Sequence, residues 1–473
     1  MGESQDSGFR LLPLGVYSLD ARVQLIHRAQ RSLDLQYYYL ADDSSGRLIL
    51  DQLMRAAARG VRVRLLIDDL HTAEVDGLLH ALAGLPNFEV RLFNPFCCGR
   101  SHLATRVASS LFDISRIDHR MHNKLLVADE AMAIVGGRNI ADEYFTRNPL
   151  QNFVDMDVLI AGPVVSQLAA SFLRYWDSEP AYDITILHGG DADSETLAGV
   201  KAHLSGADGD GMLANLPPFD VLGYEPIGHE LDAGRVAFTS GPAHAHADPP
   251  EKVQPHEQEW IDANSVLGRM RILMAEAKRE VVLTSPYLVP RARGVEMLRA
   301  LHERGVKVVI LTNSLAANDS GIVHTGYARY RPDLLRYGVD LYELSPGPTF
   351  GSKQINPGSK PSSSGSLHAK LAVIDRSMVL VGSANLDPRS ADENTELGVA
   401  VDSPALAREL LHVINISRLQ SAYRVRFGAD GKTLEWLSFS EGDEKVFIEE
   451  PESTFWSRIS TWLLAPLIPE KLL

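Results

Sequence analysis

The sequence predicts an α/β protein of two duplicated lobes, each a mixed, mostly parallel sheet flanked by helices, related by a pseudo-twofold axis. Three observations predict it. A strand–helix–strand stretch occurs twice, a histidine–lysine motif of fixed internal spacing occurs twice, and the chain is long enough for two cores.

The first copy of the repeat, "SLDLQYYYLADDSSGRLILDQLMRAAARGVRVRLLIDDL", begins at Ser32. It reads as an apolar strand, a polar turn, an amphipathic helix and a second apolar strand. From Glu280, "EVVLTSPYLVPRARGVEMLRALHERGVKVVILTNSL" reads the same way, with "RGVKVVILT" in the place of "RGVRVRLLI". Gly60 and Gly305 fall where a helix must stop before a β-branched strand, a position that favours positive φ. Each half then adds a strand, "FEVRLFNPF" or "VDLYELSP". Strands alternating with helices pair in parallel through right-handed crossovers. The expected boundaries are 1–188 for the first lobe, 189–259 for a connector, 260–425 for the second lobe and 426–473 for a C-terminal extension.

The connector holds "GGDADSE", "GADGDG" and "GPAHAHADPPEKVQPHEQE" and is expected to have little core of its own. Its His244, His246 and His256 have no cysteine nearby and no periodic frame, so they are expected to face solvent rather than hold a metal. "PSSSGS", ahead of Leu367, reads as a short flexible loop. The tail "STFWSRISTWLLAPLIPEKLL" places Phe455, Trp456, Ile459, Trp462 and Leu463 at helical spacing. Packing on the lobes is favoured over lying on a bilayer, because the polar face is not basic.

With 45% hydrophobic and 23% charged residues among 473, the composition is that of a soluble globular protein. A net charge of -15 argues against general nucleic-acid binding, which rests on neutralising phosphates. Local charge runs the other way. Arg116, Arg120 and Lys124 are set against Asp118 alone, and Lys353, Lys360 and Lys370 against no acid, so a basic cleft for a phosphate is expected. The only cysteines, Cys97 and Cys98, are adjacent and cannot staple distant segments. The start, "MGESQDSGFR", lacks the features of a signal peptide, and Asp6 breaks the myristoylation pattern. No run reaches the ~18 apolar residues of a membrane span. Nothing in the sequence sets the oligomeric state.

The paired motif carries the chemistry. The first copy is His122-x-Lys124, Asp129, then Gly136-Gly137-x-Asn139; the second is His368-x-Lys370, Asp375, then Gly382-Ser383-x-Asn385, with every gap equal. In an extended chain residues two apart share a face, so each histidine points with its lysine. Asp129 and Asp375 have the opposite parity and lie roughly 16 Å further along, which makes them supporting residues although they complete the motif. Asn139 and Asn385 return toward the histidines if each motif closes as a hairpin. Two lysines and two asparagines about a common point hold the non-bridging oxygens of a phosphodiester. One imidazole attacks phosphorus, and the other serves the leaving and entering oxygens as acid and base. On the residues alone the two histidines are interchangeable. Asp157 in "FVDMDVLIAGP" and Glu396 in "ENTELGVAVDSP" are the acids expected to hold the second imidazole nitrogens. Asn313, His324 and Tyr327 lie near a strand end and either contact a head group or form a structural turn.

These motifs resemble the phospholipase D superfamily. With "YYYLADDSSGRLILDQL", "GGRNIADEYF" and "SANLDPRSADENTELG" the resemblance extends over nearly the whole chain, to the bacterial cardiolipin synthases and above all their type C group. It implies His122 as nucleophile, His368 as acid/base, and a phosphohistidine intermediate, with neither metal nor cofactor. Phospholipid substrates are implied, phosphatidylethanolamine as donor and phosphatidylglycerol as acceptor. The protein would then be bound peripherally at the cytoplasmic side of a bacterial inner membrane. It also implies that Ser383 contributes to phosphate binding with Asn139 and Asn385, a contact weakened in the first copy by Gly137. A phospholipase D-type hydrolase, less readily a nuclease, shares the same motifs, and a catalytically silent lipid-binding protein is the remaining alternative.

Overall fold

The structure is a computed structural model describing residues 6–96, 99–100, 104–106, 118–190, 192–205, 211, 213, 216–254, 265–347, 364–440, 443–456 and 458. Cys97, Cys98, Arg116, His256, Lys353, Lys360, Ile459, Trp462 and Leu463 lie outside the described residues.

The strands are β1 (Asp6–Leu12), β2 (Ser32–Tyr37), β3 (Arg62–Asp68), β4 (Phe88–Phe93), β5 (Leu125–Ala128), β6 (Met132–Gly136), β7 (Gln151–Val154), β8 (Asp157–Ala161), β9 (Ala181–Asp183) and β10 (Thr239–Ala247). They continue as β11 (Glu280–Thr284), β12 (Lys307–Asn313), β13 (Asp340–Leu344), β14 (Ser364–Leu367), β15 (Leu371–Ile374), β16 (Met378–Gly382), β17 (Leu397–Asp402), β18 (Ala422–Phe427), β19 (Leu434–Ser440) and β20 (Asp443–Phe447). All but β7 and β14 join one sheet among the described residues. Followed through its ladders, the order is 9-4-3-2-5-6-8-1 and then 10-17-16-15-11-12-13-18-19-20. Up to β18 the two halves mirror each other about the antiparallel β1–β10 seam, as expected of a duplicated α/β protein.

Within this large sheet, parallel pairing is confined to β2-β3-β4 and β11-β12-β13, where crossover helices such as Ser44–Ala58 and Arg291–Glu303 intervene. The other ladders of the sheet are antiparallel, because the motif hairpins and the seam have no crossover helix to reverse the chain. "Mostly parallel" therefore describes the strand–helix–strand part of each lobe and not the whole sheet.

Two sequence expectations are corrected here. The connector, 189–259, contributes β10, which pairs with both β1 and β17 and holds the seam. Its low hydrophobicity hid a strand whose backbone is bonded on both sides. His244 is exposed and His246 half-buried. "PSSSGS" is loop-like in composition, yet its last three residues belong to β14, paired in parallel with β7 of the other lobe.

The largest apolar cluster spans both lobes, with Leu11, Val127 and Val158 from one side and Val373, Val399 and Leu406 from the other. Each such side chain contributes roughly 1.5–3 kcal/mol on burial, so the lobes act as one body rather than as hinged halves. A site built between them is consequently held rigidly.

Candidate active site

Each motif begins with an extended segment and continues as a hairpin. Asp129 and Glu130, and likewise Asp375 and Arg376, have positive φ of 51–60° at the tight turns β5–β6 and β15–β16. Two successive left-handed residues make the turn that suits the twist of a hairpin, and Asp is among the side chains that tolerate it. The Asp129 carboxylate accepts the backbone N–H groups of Gln30, Arg31 and Ser32 at 2.7–2.9 Å. Asp375 does the same for Lys278, Arg279 and Glu280 at 2.7–3.0 Å. These motif aspartates bracket the start of β2 and β11 and bond to backbone there, not to the motif histidines or lysines. Their place in the motif does not make them catalytic: they tie the hairpin turn to the neighbouring strand, as their parity requires.

The histidines are hung on the opposite lobe. His122 N–H donates to Thr395 O at 2.9 Å, and His368 N–H donates to Val154 O at 2.8 Å. Thr395 and Val154 each precede an acid. Backbone pairing therefore brings the Glu396 carboxylate to 3.0 Å from His122 Nδ1, and Asp155 to 2.6 Å from His368 Nδ1. The residue ahead of each histidine is also fixed: Met121 N–H donates to Asp68 and Leu367 N–H to Asn313, both at 2.8 Å. Lys124 Nζ donates to His122 O at 2.7 Å, and Lys370 Nζ donates to His368 O. Side-chain exposure is 12% for His122 and 9% for His368, enough to reach a ligand while restricting water.

Asp155, not Asp157, is the partner of His368. The ladders show why: Gly136 pairs with Asp157 and Gly382 with Gly398, so Asp157 corresponds to Gly398 and Asp155 to Glu396. Asp157 instead accepts from Ser18 Oγ at 2.5 Å and ion-pairs with Arg22 and Arg138 at 3.0 and 3.3 Å, fully buried in the first lobe. The spacing from motif to acid is 18 residues from Gly137 to Asp155 but 13 from Ser383 to Glu396. Unequal loops left the sequence no way to choose between two aspartates two residues apart.

Ser383 is also reassigned. Its hydroxyl donates to Glu396 Oε2 and accepts Leu397 N–H at 3.0 Å, so it steadies the acid rather than facing a phosphate. Ser390 Oγ holds the other Glu396 oxygen at 2.7 Å. At Gly137 a Cβ would lie 2.2 Å from Asp155 Oδ1, so glycine is there to admit the acid. Asn139 donates to Tyr144 OH at 2.9 Å, and the buried Oδ1 atoms of Asn139 and Asn385 find no hydrogen-bond partner among the described residues. Asn313 braces Leu367; His324 Nε2 is hydrogen-bonded with Glu450 at 3.1 Å, and Tyr327 donates to Glu343. Those last three are structural. Of the residues expected to form a basic cleft, Arg120 is buried against Asp68. Arg389, which the sequence reading missed, pairs with Asp118 across the lobes and adds positive charge near His122. Among the described residues no group of three or more His, Cys, Asp or Glu is placed to hold a metal.

Electrostatics separate the two halves. Burial, then Lys124 and Lys370, hold the His122 imidazole well below its usual range, in the neutral form. His368 is also lowered by burial and Lys370, but Asp155 opposes the shift. Burial acts to raise Asp155, yet His368 and Lys370 outweigh it and hold it at about 2. Burial pushes Glu396 up to about 7 against the pull of Lys124. Lys370 is lowered to about 8 by burial, and Lys124 falls well below its usual value for the same reason. A phosphate placed between these ammonium groups would favour their charged forms. His122 feels the charges of Lys370 and His368 directly, so the two motifs act on one region of space.

Paired histidines and lysines, crossed between duplicated lobes on this sheet, define a phospholipase D-like protein. The family model described as "Cardiolipin synthase, PLD-like domain" matches residues 23–176 and 270–415. The chain is 37% identical over 463 residues to cardiolipin synthase C of Escherichia coli K12, covering 96% of this chain and 94% of that one. It is 24% identical to the major cardiolipin synthase ClsA of Bacillus subtilis 168 over 82% of this chain and 64% of that relative. The phosphatidylserine synthase structure from Haemophilus influenzae Rd KW20 shares the fold, with a TM-score of 0.61 at 13% identity over 98% of this chain and 94% of that one. The chain belongs to the phospholipase D-like cardiolipin synthase family.

Proposed function

We propose that this chain is a phosphatidyltransferase that joins a donor phospholipid, phosphatidylethanolamine, to phosphatidylglycerol and so makes cardiolipin. The observation that carries the reading is the crossed pair: each imidazole is oriented through Nδ1 by a buried carboxylate of the other lobe, leaving Nε2 for phosphorus or an alcohol. Electrostatics support His122 as the nucleophile, because it is the more firmly neutral ring, and His368 as the acid/base, because ionised Asp155 stabilises its imidazolium.

In the first step His122 Nε2 bonds to phosphorus, the bond from phosphorus to the head-group oxygen breaks, and His368 gives that oxygen its proton. In the second, His368 takes the proton of a phosphatidylglycerol hydroxyl. That oxygen then attacks phosphorus and releases His122. Lys124 and Lys370, with Asn139 and Asn385, offset the charge that grows on the non-bridging oxygens. Binding is peripheral, from the cytoplasmic side of the membrane. Among the described residues no helix is long and apolar enough to cross a bilayer, and exposed Phe455 and Trp456 offer apolar contact.

Purified protein with labelled phosphatidylethanolamine, with and without phosphatidylglycerol, tests this. Labelled cardiolipin that depends on phosphatidylglycerol is the expected product. Phosphatidic acid in equal yield under both conditions would replace transfer with hydrolysis.

A further inference from the structure

The pseudo-symmetry exposes a difference between the lobes away from the histidines. In the first lobe Arg22, on the helix Gly15–Arg28, reaches Asp157 of β8, which also binds Ser18 and Arg138. All four are buried, and together they fill the space between helix and sheet with a satisfied polar network. Counting back from the bracketed strand starts, Ser32 and Glu280, places Met270 where the first lobe has Arg22 and Val266 where it has Ser18. The ladders place Gly398 at the position of Asp157, and the motifs place Ala384 at that of Arg138. Every member of the network is replaced by an apolar or smaller residue.

Empty space results. A narrow cavity is lined by these four substitutes together with Lys370, the site lysine. It shares Met270, Leu283 and Leu386 with a second narrow cavity that runs under the helix Arg291–Glu303 to Arg271 and Arg291. The lining is overwhelmingly apolar, and three methionines (Met270, Met274 and Met297) give it side chains that adapt to an irregular chain.

We propose that this slot, present in the second lobe and filled in the first, takes one fatty-acyl chain of a phospholipid whose phosphate lies at Lys370. The inference rests on the proposed function and extends it by saying where an acyl chain goes. His246, Thr284 and Lys370 are the polar members of an otherwise apolar wall, and a hydrocarbon chain matches both that lining and the approach to a phosphate-binding lysine. The arginines at the far end mark where such a chain would meet solvent or the lipid interface.

Met270→Trp and Met297→Trp narrow the slot at two separate points without touching the histidines, lysines or their acids. Transfer is measured from a dioleoyl donor and from a soluble dihexanoyl donor, and binding is read independently with cis-parinaric acid, a fluorescent fatty acid. The expected result is a fall of about 10-fold, or ~1.4 kcal/mol, in kcat/KM for the long-chain donor in each variant. The dihexanoyl donor stays within about twofold, which also reports an intact fold, and parinarate binding weakens in parallel. Equal losses for both donors, or parinarate binding that is absent or unchanged by the substitutions, would overturn the slot. If the unsubstituted protein transferred from neither donor, the proposed function would fall while parinarate binding still decided the slot.

Discussion

The half-site of His368 and the half-site of His122 share a backbone plan and differ in the acid. His368 has Asp155, a short carboxylate at 2.6 Å, admitted by the bare backbone of Gly137. His122 has Glu396, one methylene longer, at 3.0 Å and held by the hydroxyls of Ser383 and Ser390. Glycine accompanies aspartate and serine accompanies glutamate for one reason. A shorter side chain needs its backbone closer, and a longer one leaves room for a hydroxyl that must then be bonded. The motif's Gly/Ser departure is thus an adjustment of acid length and not a lost phosphate contact. The two acids also differ electrically on this duplicated frame: Asp155 is held at about 2, where His368 and Lys370 outweigh burial, and burial pushes Glu396 up to about 7.

The strongest way to break this contrast is to remove each ring. His122→Ala and His368→Ala are both expected to lower cardiolipin formation at least about 1,000-fold. They separate with a donor whose leaving group is p-nitrophenol and needs no proton. His368→Ala should still release p-nitrophenol in a burst and carry label on His122, while His122→Ala should not. A burst from His122→Ala alone would exchange the two roles.

Next come the acids and the residues that hold them. Asp155→Asn, and Gly137→Ser through its contact with Asp155, should each cost about 100-fold in kcat, measured by product formation. Ser383→Ala should cost no more than about 10-fold, because Ser390 still holds Glu396. Equal effects of Gly137→Ser and Ser383→Ala would contradict their separate assignments. Asp157→Ala should act on the fold, destabilising it by about 3–5 kcal/mol in denaturant titration, since it leaves Arg22 and Arg138 buried without their carboxylate.

Asp129→Ala and Asp375→Ala should lower stability by about 1–3 kcal/mol, through three backbone N–H groups left without their acceptor. At temperatures where they remain folded, kcat should be unchanged. A fully folded but inactive Asp129→Ala would return the motif aspartates to the chemistry.

The smallest effect lies in pH. Glu396 at about 7 is above its ordinary 4.5, so the folded state holds this proton more tightly than the unfolded chain. Its stabilisation is present below pH 4.5 and lost as pH rises through about 7. Asp155 at about 2 is below 3.8, so its contribution is present above pH 3.8 and lost as pH falls through about 2. Unfolding free energy measured against pH should therefore flatten between 4.5 and 7 in Glu396→Gln, and in the acid limb below 3.8 in Asp155→Asn. Matching profiles in the two variants would show that the half-sites are electrically alike.

The sequence by itself determined the duplication, the paired histidines and lysines, and the supporting place of Asp129 and Asp375. All of these follow from periodicity, equal gaps and strand parity, which are local properties of a chain. It also singled out Glu396, which the structure sets against His122 Nδ1. Only the tertiary structure chose Asp155 over Asp157, because that choice is a matter of ladder register after loops of unequal length. Only the tertiary structure showed that each acid serves the other lobe's histidine, made β10 part of the seam, and turned Ser383 toward Glu396. Those are contacts between segments more than a hundred residues apart or across a hairpin, which no local pattern encodes. The apolar slot was hidden for the same reason, since Met270, Gly398 and Ala384 become a cavity only when set against Arg22, Asp157 and Arg138 of the folded first lobe.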